Sequence, residues 1–472
     1  MTNKSVFNIA TGCFVAVSGV SFAQQSEKPN VIVILADDLG SCDVGFGGCL
    51  DIPTPNIDRI AYEGVNCTNA YISAPYSGPS RCGLMTGRYQ QRFGVDGNIE
   101  NLEDSCAEMQ GVPTSELMLL ELMQDNGYKT AAIGKWHMGD HEDLKPHSRG
   151  TDYSYGFSNG GYNYWGIPNK EGGTVIEENG KPVDISTIEY LTDSFSEKTV
   201  EFIEEQAKSD DPFFVYLAYN APHAPMQATQ KYLDRTEHIF NSWRSIYAAM
   251  ILSMDDGVGL IWDKLEELNI ADNTMIIFLS DNGGTNLAMN YPLRAFKGNM
   301  FDGGIRTPFA IYYKGVLDAN QVYEETISSL DIFPTVAAAA GINTDKVCKK
   351  KPLDGVDLVP YLTGEVSGTP NNKLFWRVCG GMEYATRQGD YKLVKRHDQD
   401  EFMLFDVVKD PIEMYDIAAE NPALVKRMKA EYDAWESEMM DPRWEDLHAP
   451  HQIEDLQAWK DARKKALRPS AR

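Results

Sequence analysis

Four short runs of the chain are almost entirely apolar, and longer stretches with a helical period separate them. The runs are 31–35 (VIVIL), 130–133 (TAAI), 213–217 (FFVYL) and 275–279 (MIIFL). Continuous apolar runs of this length are typical of parallel strands that are buried on both faces. The pattern therefore predicts an α/β protein with a large doubly wound, mixed but mostly parallel sheet sandwiched by helices.

The stretches between these runs carry helical patterns. They begin after Pro113 (TSELMLLELMQDNGY), at Thr192 (TDSFSEKTVEFIEEQAK) and at Ser245 (SIYAAMILSMDDGVGLIWDKLEEL). Because strands alternate with helices, right-handed crossovers are expected between parallel neighbours.

A different pattern begins near Asn372. KLFWRV, YATRQGDYKLVKR and FMLFDVV are short alternating segments joined by polar turns, which predicts an antiparallel sheet. A helix is expected to follow from Asn421, with Pro422 at its first position. We therefore predict a catalytic domain over 24–371, a small α+β subdomain over 372–440 and a tail over 441–472.

The first residues, MTNKSVFNIATGCFVAVSGVSFAQQ, are typical of a secretory signal peptide over 1–23. An uncleaved anchor and a lipoprotein attached at Cys13 are the alternatives. Export to the periplasm or the medium is the expectation, and no other apolar run is long enough to span a bilayer.

Composition and charge exclude several classes of protein. Hydrophobic residues make up 43% and charged residues 24%, as in folded globular proteins. The net charge of −26 argues against a nucleic-acid partner, because binding to phosphates needs a basic face. Seven cysteines follow the predicted signal peptide without a C-x-x-C pair, which argues against a thiolate zinc site but allows one or two disulfides.

Polar side chains follow each of the four apolar runs. Because the carboxyl ends of parallel strands meet at one edge of a sheet, we expect these side chains to converge on one site. Any one cluster alone would more often be an ordinary turn or a structural residue. In chain order they are Asp37, Asp38, Lys135, His137, His223, Asp281 and Asn282.

The acids and the amide in this set predict a metal site. Asp37, Asp38, Asp281 and Asn282 offer only oxygen ligands, which suit a hard cation, Ca²⁺ or Mg²⁺, better than zinc.

The cations in and near this set predict an anionic substrate. Arg81, Lys135 and Lys297 would neutralise a tetrahedral anion or a sulfate ester. Imidazole side chains suit proton transfer near neutral pH, so His137 and His223 are the candidate acid and base.

The segment Ser77-Gly78-Pro79-Ser80-Arg81, followed by Thr86-Gly87-Arg88, carries a family signature. With NVIVILADDLG, GKWHMG, NAPHAP, SDNGG and KGNMFDGGIRTP in this order, the chain resembles the formylglycine-dependent (type I) sulfatases of the alkaline phosphatase superfamily. The resemblance extends through TRQGDYKLV and LFDVVKDPIEMYDIA to nearly the whole mature chain.

The resemblance implies that a maturation enzyme converts Ser77 to formylglycine. One hydroxyl of the hydrated aldehyde then attacks sulfur, and the second allows the sulfated intermediate to collapse. By the same resemblance, Ser77 joins Asp37, Asp38, Asp281 and Asn282 at the calcium ion.

The remaining roles are also carried by the resemblance. His223 protonates the leaving sugar oxygen, Lys297 contacts the sulfate, and His137 deprotonates the second hydroxyl. Arg81 and Lys135 hold the aldehyde hydrate. Many members of the family have Cys at position 77. A serine fits a native serine-type site, or replacement of that cysteine, which would leave an inactive chain that only binds the glycan.

An aromatic segment, GTDYSYGFSNGGYNYWGIPNK, suggests a carbohydrate substrate. Tyr162, Tyr164 and Trp165 are candidate sugar contacts with Arg294, although core packing explains any single ring equally well. The aromatic run and the acidity resemble those of marine bacterial sulfatases acting on carrageenans, so galactose 4-sulfate of carrageenan is the specific hypothesis. Glycosaminoglycan, ulvan and fucan sulfates remain alternatives.

Two other functions remain open from the sequence. A phosphoesterase of the same superfamily would use Ser77 directly with two zinc ions, and would usually have a histidine where this chain has Asn282. A protein that only binds glycans is the second alternative.

Overall fold

The computed structural model describes residues 28–99, 110–168, 175–399 and 401–444. The predicted signal peptide over 1–23 lies outside the described residues, as does the predicted tail from residue 445 onwards. The domain boundaries at 371 and 440 lie within the described residues and stay predictions.

Sixteen strands are present among the described residues. They are β1 Asn30–Ala36, β2 Val65–Cys67, β3 Ala70–Tyr71, β4 Lys129–Lys135, β5 Tyr153–Phe157, β6 Glu177–Glu178, β7 Lys181–Pro182, β8 Phe213–Ala218, β9 Thr274–Ser280, β10 Phe309–Tyr313, β11 Gln321–Tyr323, β12 Ile327–Ser328, β13 Lys373–Val378, β14 Glu383–Gln388, β15 Tyr391–Lys395 and β16 Phe402–Asp406.

Ten of these strands form one large sheet in the order β11-β2-β10-β9-β1-β8-β4-β5-β6-β7. Its central strands β9, β1, β8, β4 and β5 are parallel, with Val33 opposite Tyr216 on one side and Ile277 on the other. β10 runs antiparallel to β9. All four apolar runs are strands of this parallel centre, which confirms the predicted mixed, mostly parallel sheet.

The described α-helices cover both faces of the sheet. They are α1 Pro55–Tyr62, α2 Ser77–Thr86, α3 Leu119–Asp125, α4 Leu191–Gln206, α5 Gln230–Leu233, α6 Ser242–Glu267, α7 Asp302–Ile305, α8 Ile332–Ala339, α9 Thr344–Val347, α10 Val359–Leu362 and α11 Pro422–Glu436.

The core lies in two layers, one on each face of the sheet. Alternate residues of β1 point to opposite faces, so Ile32 and Ile34 pack with α4 and α6, whereas Val31 and Val33 pack with α2, α3 and α8. Because both faces are covered, the central strands contain almost no polar residue.

Helix α3 is shorter than the sequence pattern predicts. The helical period after Pro113 extends over fifteen residues, but the helix begins only at Leu119. The residues before it form a turn, in which the Glu116 N–H donates a hydrogen bond to Pro113 O at 2.9 Å. The side chain of Glu121 accepts the Met118 N–H at 2.8 Å and fixes the helix start there.

The C-terminal sheet is antiparallel, in the order β13-β14-β15-β16, as predicted. α11 packs on it through Met428, which contacts a cluster containing Leu393 and Leu404. Asn421 precedes the helix and Pro422 is its first residue, so the predicted start is confirmed.

Two further findings concern membranes and thiols. Within the described ranges, no helix is both long and apolar enough to cross a bilayer. The described thiols of Cys42, Cys49, Cys67, Cys82 and Cys348 are free. Cys106 lies outside the described residues.

Candidate active site

The four strand ends bring their polar side chains together, as the parallel sheet requires. Lys135, the last residue of β4, places Nζ 2.7 Å from Oδ2 of Asp37, which follows β1. Asn282, after β9, donates from Nδ2 to Asp38 Oδ1 at 2.7 Å. His223, after β8, places Nε2 at 3.7 Å from Asp38 Oδ2. One cluster therefore contains side chains that are up to 245 positions apart.

Ser77 is the first residue of α2 and lies at the floor of this cluster. Its Oγ is 3.2 Å from Asp37 Oδ1 and 3.1 Å from Asn282 Oδ1. A serine hydroxyl has one proton, so it can donate to only one of these two oxygens. A cation, or a second hydroxyl on residue 77, would satisfy the other oxygen.

Arg81 lies one helical turn after Ser77 and is fully buried. Its Nε and Nη2 lie 2.9 and 2.8 Å from Asp281 Oδ2, and its Nη1 donates to Lys135 O at 3.0 Å. Burial alone would lower the pKa of Arg81, but Asp281 and Asp37 raise it, so the guanidinium stays charged. Arg81 therefore ties α2 to the ends of β4 and β9.

Two residues of the site have left-handed backbone conformations. Asp38 has a φ of 67° and His137 a φ of 56°, although neither is a glycine. Such conformations persist only where the surroundings hold them. Two hydrogen bonds hold the backbone of Asp38. Its N–H donates to Asp281 Oδ1 at 3.2 Å, and its carbonyl oxygen accepts from Tyr247 OH at 3.2 Å.

A glycine allows Lys135 to reach Asp37. Gly134 has a φ of 106°, and a Cβ at this position would lie 1.9 Å from Ala218 O. Only glycine permits this approach of β4 to β8 without a backbone shift. The close approach places the end of β4 beside the end of β8.

The charged groups of the site form buried pairs. Burial raises the pKa of Asp37, against the opposing effect of Lys135, and burial lowers the pKa of Lys135. Burial would also raise the pKa of Asp38, but Lys297, with Nζ 2.6 Å from Oδ1, outweighs it and the pKa is lowered.

The site contains equal numbers of opposite charges. Three cations (Arg81, Lys135 and Lys297) face three carboxylates (Asp37, Asp38 and Asp281). A divalent cation bound among them would leave the site with a net positive charge. Such a site attracts an anionic group such as a sulfate ester.

The oxygens of this cluster fit a hard cation. Ligand atoms of Asp37, Asp38 and His223 lie within 4.8 Å of one another, and Asn282 adds an amide oxygen beside Ser77 Oγ. Oxygen ligands suit Ca²⁺ and Mg²⁺, so the imidazole of His223 is the least suitable member of this group. Asp281 adds a third carboxylate, with Oδ2 paired with Arg81 and Oδ1 accepting the Asp38 N–H.

The two histidines are held by different hydrogen bonds. His223 places Nδ1 2.7 Å from Ala224 O, so this nitrogen carries a proton and Nε2 is left to the pocket. Burial lowers the pKa of His137 well below its usual range, so this ring is neutral. His137 Nε2 lies 3.1 Å from Ile99 O, and its Nδ1 has no hydrogen-bond partner among the described atoms. His137 can therefore accept a proton at Nδ1, and His223 presents Nε2 to the pocket.

The cluster opens into a pocket of about 770 Å³. Its walls combine polar amides with aromatic rings. The described lining residues are Tyr76, Ser77, Asn98, Ile99, His137, Asn159, Gly160, Gly161, His223, Thr285, Asn286, Phe296, Lys297, Gly298 and Asn299.

Asn98 and Phe296 are among the lining residues that sequence reasoning missed. Asn98 accepts the Gly78 N–H through Oδ1 at 3.1 Å and so holds the start of α2. No motif marks this residue. Phe296, 48% exposed, presents its ring in the pocket wall. Its position directly before Lys297 was the available signal.

The predicted sugar contacts of Tyr162 and Tyr164 need correction. Both side chains are buried. The Tyr162 ring packs against Phe157, and the Tyr164 hydroxyl lies 2.6 and 2.8 Å from the carbonyl oxygens of Asn220 and His223, to one of which it donates. A buried ring offers no face to a sugar, so these two tyrosines pack the core and support the His223 loop.

Trp165 and Arg294 also lie outside the described pocket lining. Trp165 packs on Tyr190, with ring centroids 5.5 Å apart. Arg294 donates to Glu413 O at 2.6 Å and covers the ring of Phe301 at 3.9 Å. These contacts are structural and argue against the predicted substrate roles.

Comparison with known proteins agrees with this geometry. A protein-family model described as Sulfatase matches residues 29–342, which is more than half of the chain. The chain belongs to the sulfatase family. A second model, for the C-terminal part of N-sulphoglucosamine sulphohydrolase, matches residues 295–437 of this sulfatase. The protein is therefore a sulfuric ester hydrolase.

Individual relatives extend the comparison. The sulfatase is 32% identical to the N-acetylgalactosamine-6-sulfatase of Mus musculus, over 79% of this chain and 73% of that one. The crystal structure of Ps i-CgsB in complex with k-i-k-neocarrahexaose superposes with a TM-score of 0.84 at 36% identity, over 94% of this chain and all of that one. The PsFucS1 sulfatase from Pseudoalteromonas sp. has a TM-score of 0.75 at 26% identity, over 88% and 91%.

Proposed function

We propose that this sulfatase removes sulfate from a sulfated polysaccharide or its oligosaccharides, with galactose 4-sulfate of carrageenan as the preferred target. The position of Ser77 carries the proposal, because its Oγ faces two acceptor oxygens at the floor of a pocket that Lys297 also lines. The likeness to Ps i-CgsB, whose structure holds a neocarrahexaose, supports the carrageenan substrate. Glycosaminoglycan, ulvan and fucan sulfates are the competing substrates.

The proposal includes two groups that the chain acquires. Formylglycine at position 77 would supply two hydroxyls on one carbon, one as nucleophile and one to break down the sulfated intermediate. Ca²⁺ held by Asp37, Asp38, Asp281 and Asn282 would supply positive charge beside residue 77. Export of the chain and a maturation enzyme acting on Ser77 belong to the same proposal.

The other residues bind the substrate and move protons. Lys297 binds a sulfate oxygen, while Arg81 and Lys135 orient residue 77. His223 donates a proton from Nε2 to the leaving sugar oxygen. His137 accepts a proton at Nδ1, the atom without a described partner. Burial keeps this ring neutral and able to act as a base.

Mass spectrometry of the peptide containing Ser77 tests the modification. After expression in a host that matures serine-type sites, we expect the mass of formylglycine or its hydrate. An unmodified serine in an active enzyme would contradict the proposed chemistry. Desulfation of a panel of purified sulfated oligosaccharides then tests the substrate. Cleavage of phosphate esters alone, with zinc bound, would favour the phosphoesterase alternative.

Replacing His223 with alanine is expected to separate substrates by their leaving groups. A sugar alkoxide is a poor leaving group and needs an acid, so its kcat should fall by roughly 10²- to 10⁴-fold. An activated aryl sulfate leaves without protonation and should lose far less. His238→Ala is the matched control, since His238 contacts Asp51 O outside the described pocket lining. Equal losses on both substrates would contradict the role of the acid.

Replacing Phe296 with alanine is expected to weaken binding of long substrates. Loss of an aromatic face removes about 1 kcal/mol or more of sugar contact, so KM for a sulfated oligosaccharide should rise roughly tenfold. KM for a small aryl sulfate should change less. Tyr291→Ala is the control, because Tyr291 is exposed but does not line the described pocket. Equal effects of the two variants would remove Phe296 from the substrate site.

A further inference from the structure

A buried lysine of the C-terminal sheet contacts the catalytic domain. Lys392, in β15, is fully buried, and its Nζ lies 2.6 Å from Asp302 Oδ1 and 2.8 Å from Glu413 Oε1. Asp302 begins α7, in the segment that follows Lys297. A charge is buried this deeply only when it is paired. The pair therefore joins the C-terminal sheet to this segment.

Asp302 is the centre of a wider set of contacts. Its Oδ2 accepts from Tyr71 OH at 2.8 Å, and its N–H donates to Glu413 Oε2 at 2.7 Å. Burial would raise the pKa of Asp302, but Lys392 outweighs it, so Asp302 stays charged. Burial raises the pKa of Glu413 to about 7. Lys392 and Asp302 are thus the principal ion pair of the cluster.

The same cluster closes a loop over 294–303. Gly303 N–H donates to Arg294 O at 2.8 Å, and Arg294 Nη1 donates to Glu413 O at 2.6 Å. Both ends of the loop are therefore fixed beside Glu413. Lys392 holds one end through Asp302.

The closed loop carries part of the pocket wall. Phe296, Lys297, Gly298 and Asn299 all line the pocket. Lys297 N–H donates to Gly284 O and Gly298 N–H to Pro75 O, both at 3.0 Å. The loop therefore contacts the segment after Asn282 and the segment before Ser77, and its position sets that of Lys297 Nζ.

We propose that Lys392 is a positioning residue that holds Lys297 in place for the sulfate group. The activity part of this inference rests on the proposed function. Without Lys392, Asp302 loses the cation at Oδ1 and keeps only the longer contact of Oδ2 with Arg306 Nη1, at 3.7 Å. The buried carboxylate is then expected to move or to take up a proton. Either change releases the end of the loop that carries Lys297.

A double-mutant cycle tests the proposal. In Lys392→Met, kcat/KM for a sulfate ester is expected to fall about 10- to 100-fold, as is usual for residues that support a site. In a Lys297→Ala background, the same change should cost less than about threefold, because the loss acts through Lys297. Equal losses in both backgrounds would overturn the proposal. Lys395→Met, in the same strand, is the control for substitution in β15.

Hydrogen exchange gives a readout that does not depend on catalysis. The peptide covering 294–303 should exchange faster in Lys392→Met than in the wild type, while that covering Asn30–Ala36 stays protected. Unchanged exchange of 294–303 would overturn the proposal. If the wild type hydrolyses no sulfate ester, the proposed function fails. The exchange of residues 294–303 then still tests whether Lys392 holds this loop.

A second variant keeps the proposal testable if Lys392→Met does not fold. Glu413→Gln keeps the Lys392–Asp302 pair but removes one acceptor at the loop base. We expect faster exchange over 294–303 and a loss of kcat/KM that is smaller than in Lys392→Met. In the Lys297→Ala background, Glu413→Gln should cause almost no further loss. A loss that persists in that background would contradict the proposal.

Discussion

Replacing Ser77 with alanine is expected to abolish sulfate-ester hydrolysis almost completely. Removal of a covalent nucleophile usually costs on the order of 10⁴- to 10⁶-fold in kcat. Alanine also cannot be converted to formylglycine, so neither of the two hydroxyls would form. The measurement is kcat on a sulfated oligosaccharide, compared with the rate without enzyme.

The fold should survive this substitution. Ser77 contributes only its Oγ to Asp37 and Asn282, and α2 starts on backbone contacts such as Gly78 N–H to Asn98. Ser80→Ala is the matched control in the same helix, since Ser80 Oγ bonds only to Ser77 O at 3.1 Å among the described contacts. Residual activity of Ser77→Ala above about 1% of the wild type would exclude residue 77 as the nucleophile.

The parallel centre of the sheet made much of the site predictable. Asp37, Lys135, His223 and Asp281 each follow an apolar run, and parallel strands end at one edge. Their pairing across β1, β8, β9 and β4 therefore follows from the strand order. The prediction that Ser77 lies beside them depended on the family resemblance. Nothing in the segment around Ser77 indicates which strand ends it faces.

Other contacts could not be predicted because they depend on how loops fold over the sheet. Asn98 holds the Gly78 N–H from a loop that has no apolar period. Tyr162 and Tyr164 lie in an aromatic segment that resembles a sugar-binding site. Their rings are buried instead, because burial of apolar ring area in the core lowers the free energy of the folded chain. Lys392 reaches Asp302 across 90 positions, which no local pattern encodes.

The C-terminal sheet changes how the pocket is understood. Lys392 fixes the loop of Lys297, and Arg377, in β13, is paired with Asp96 beside the loop that carries Asn98. Two walls of the pocket thus rest on buried cations from one small sheet. The second family match, over residues 295–437, spans both this loop and that sheet.

Replacing Asp281 with alanine is expected to remove activity and bound metal together. Asp281 is buried, its Oδ2 pairs with Arg81, and its Oδ1 accepts the Asp38 N–H at 3.2 Å. Loss of its charge leaves Arg81 buried beside Asp37 only, at 3.7 Å, and frees the strained backbone of Asp38. We expect kcat to fall by on the order of 10³-fold and stability by about 3–5 kcal/mol. Atomic absorption measures the calcium content, a kinetic assay measures kcat, and unfolding in urea measures the free energy of unfolding.

A second buried carboxylate separates loss of stability from loss of the site. Asp255 accepts the N–H groups of Asn56 and Ile57 at 3.0 and 2.8 Å and caps α1 away from the catalytic cluster. Asp255→Ala should therefore lower the free energy of unfolding by about 1–3 kcal/mol but keep calcium and kcat. Asp281→Asn retains the volume of the side chain and should lose metal and kcat like Asp281→Ala. Normal calcium content and activity in either variant of Asp281 would show that the ion and the reaction do not depend on this carboxylate.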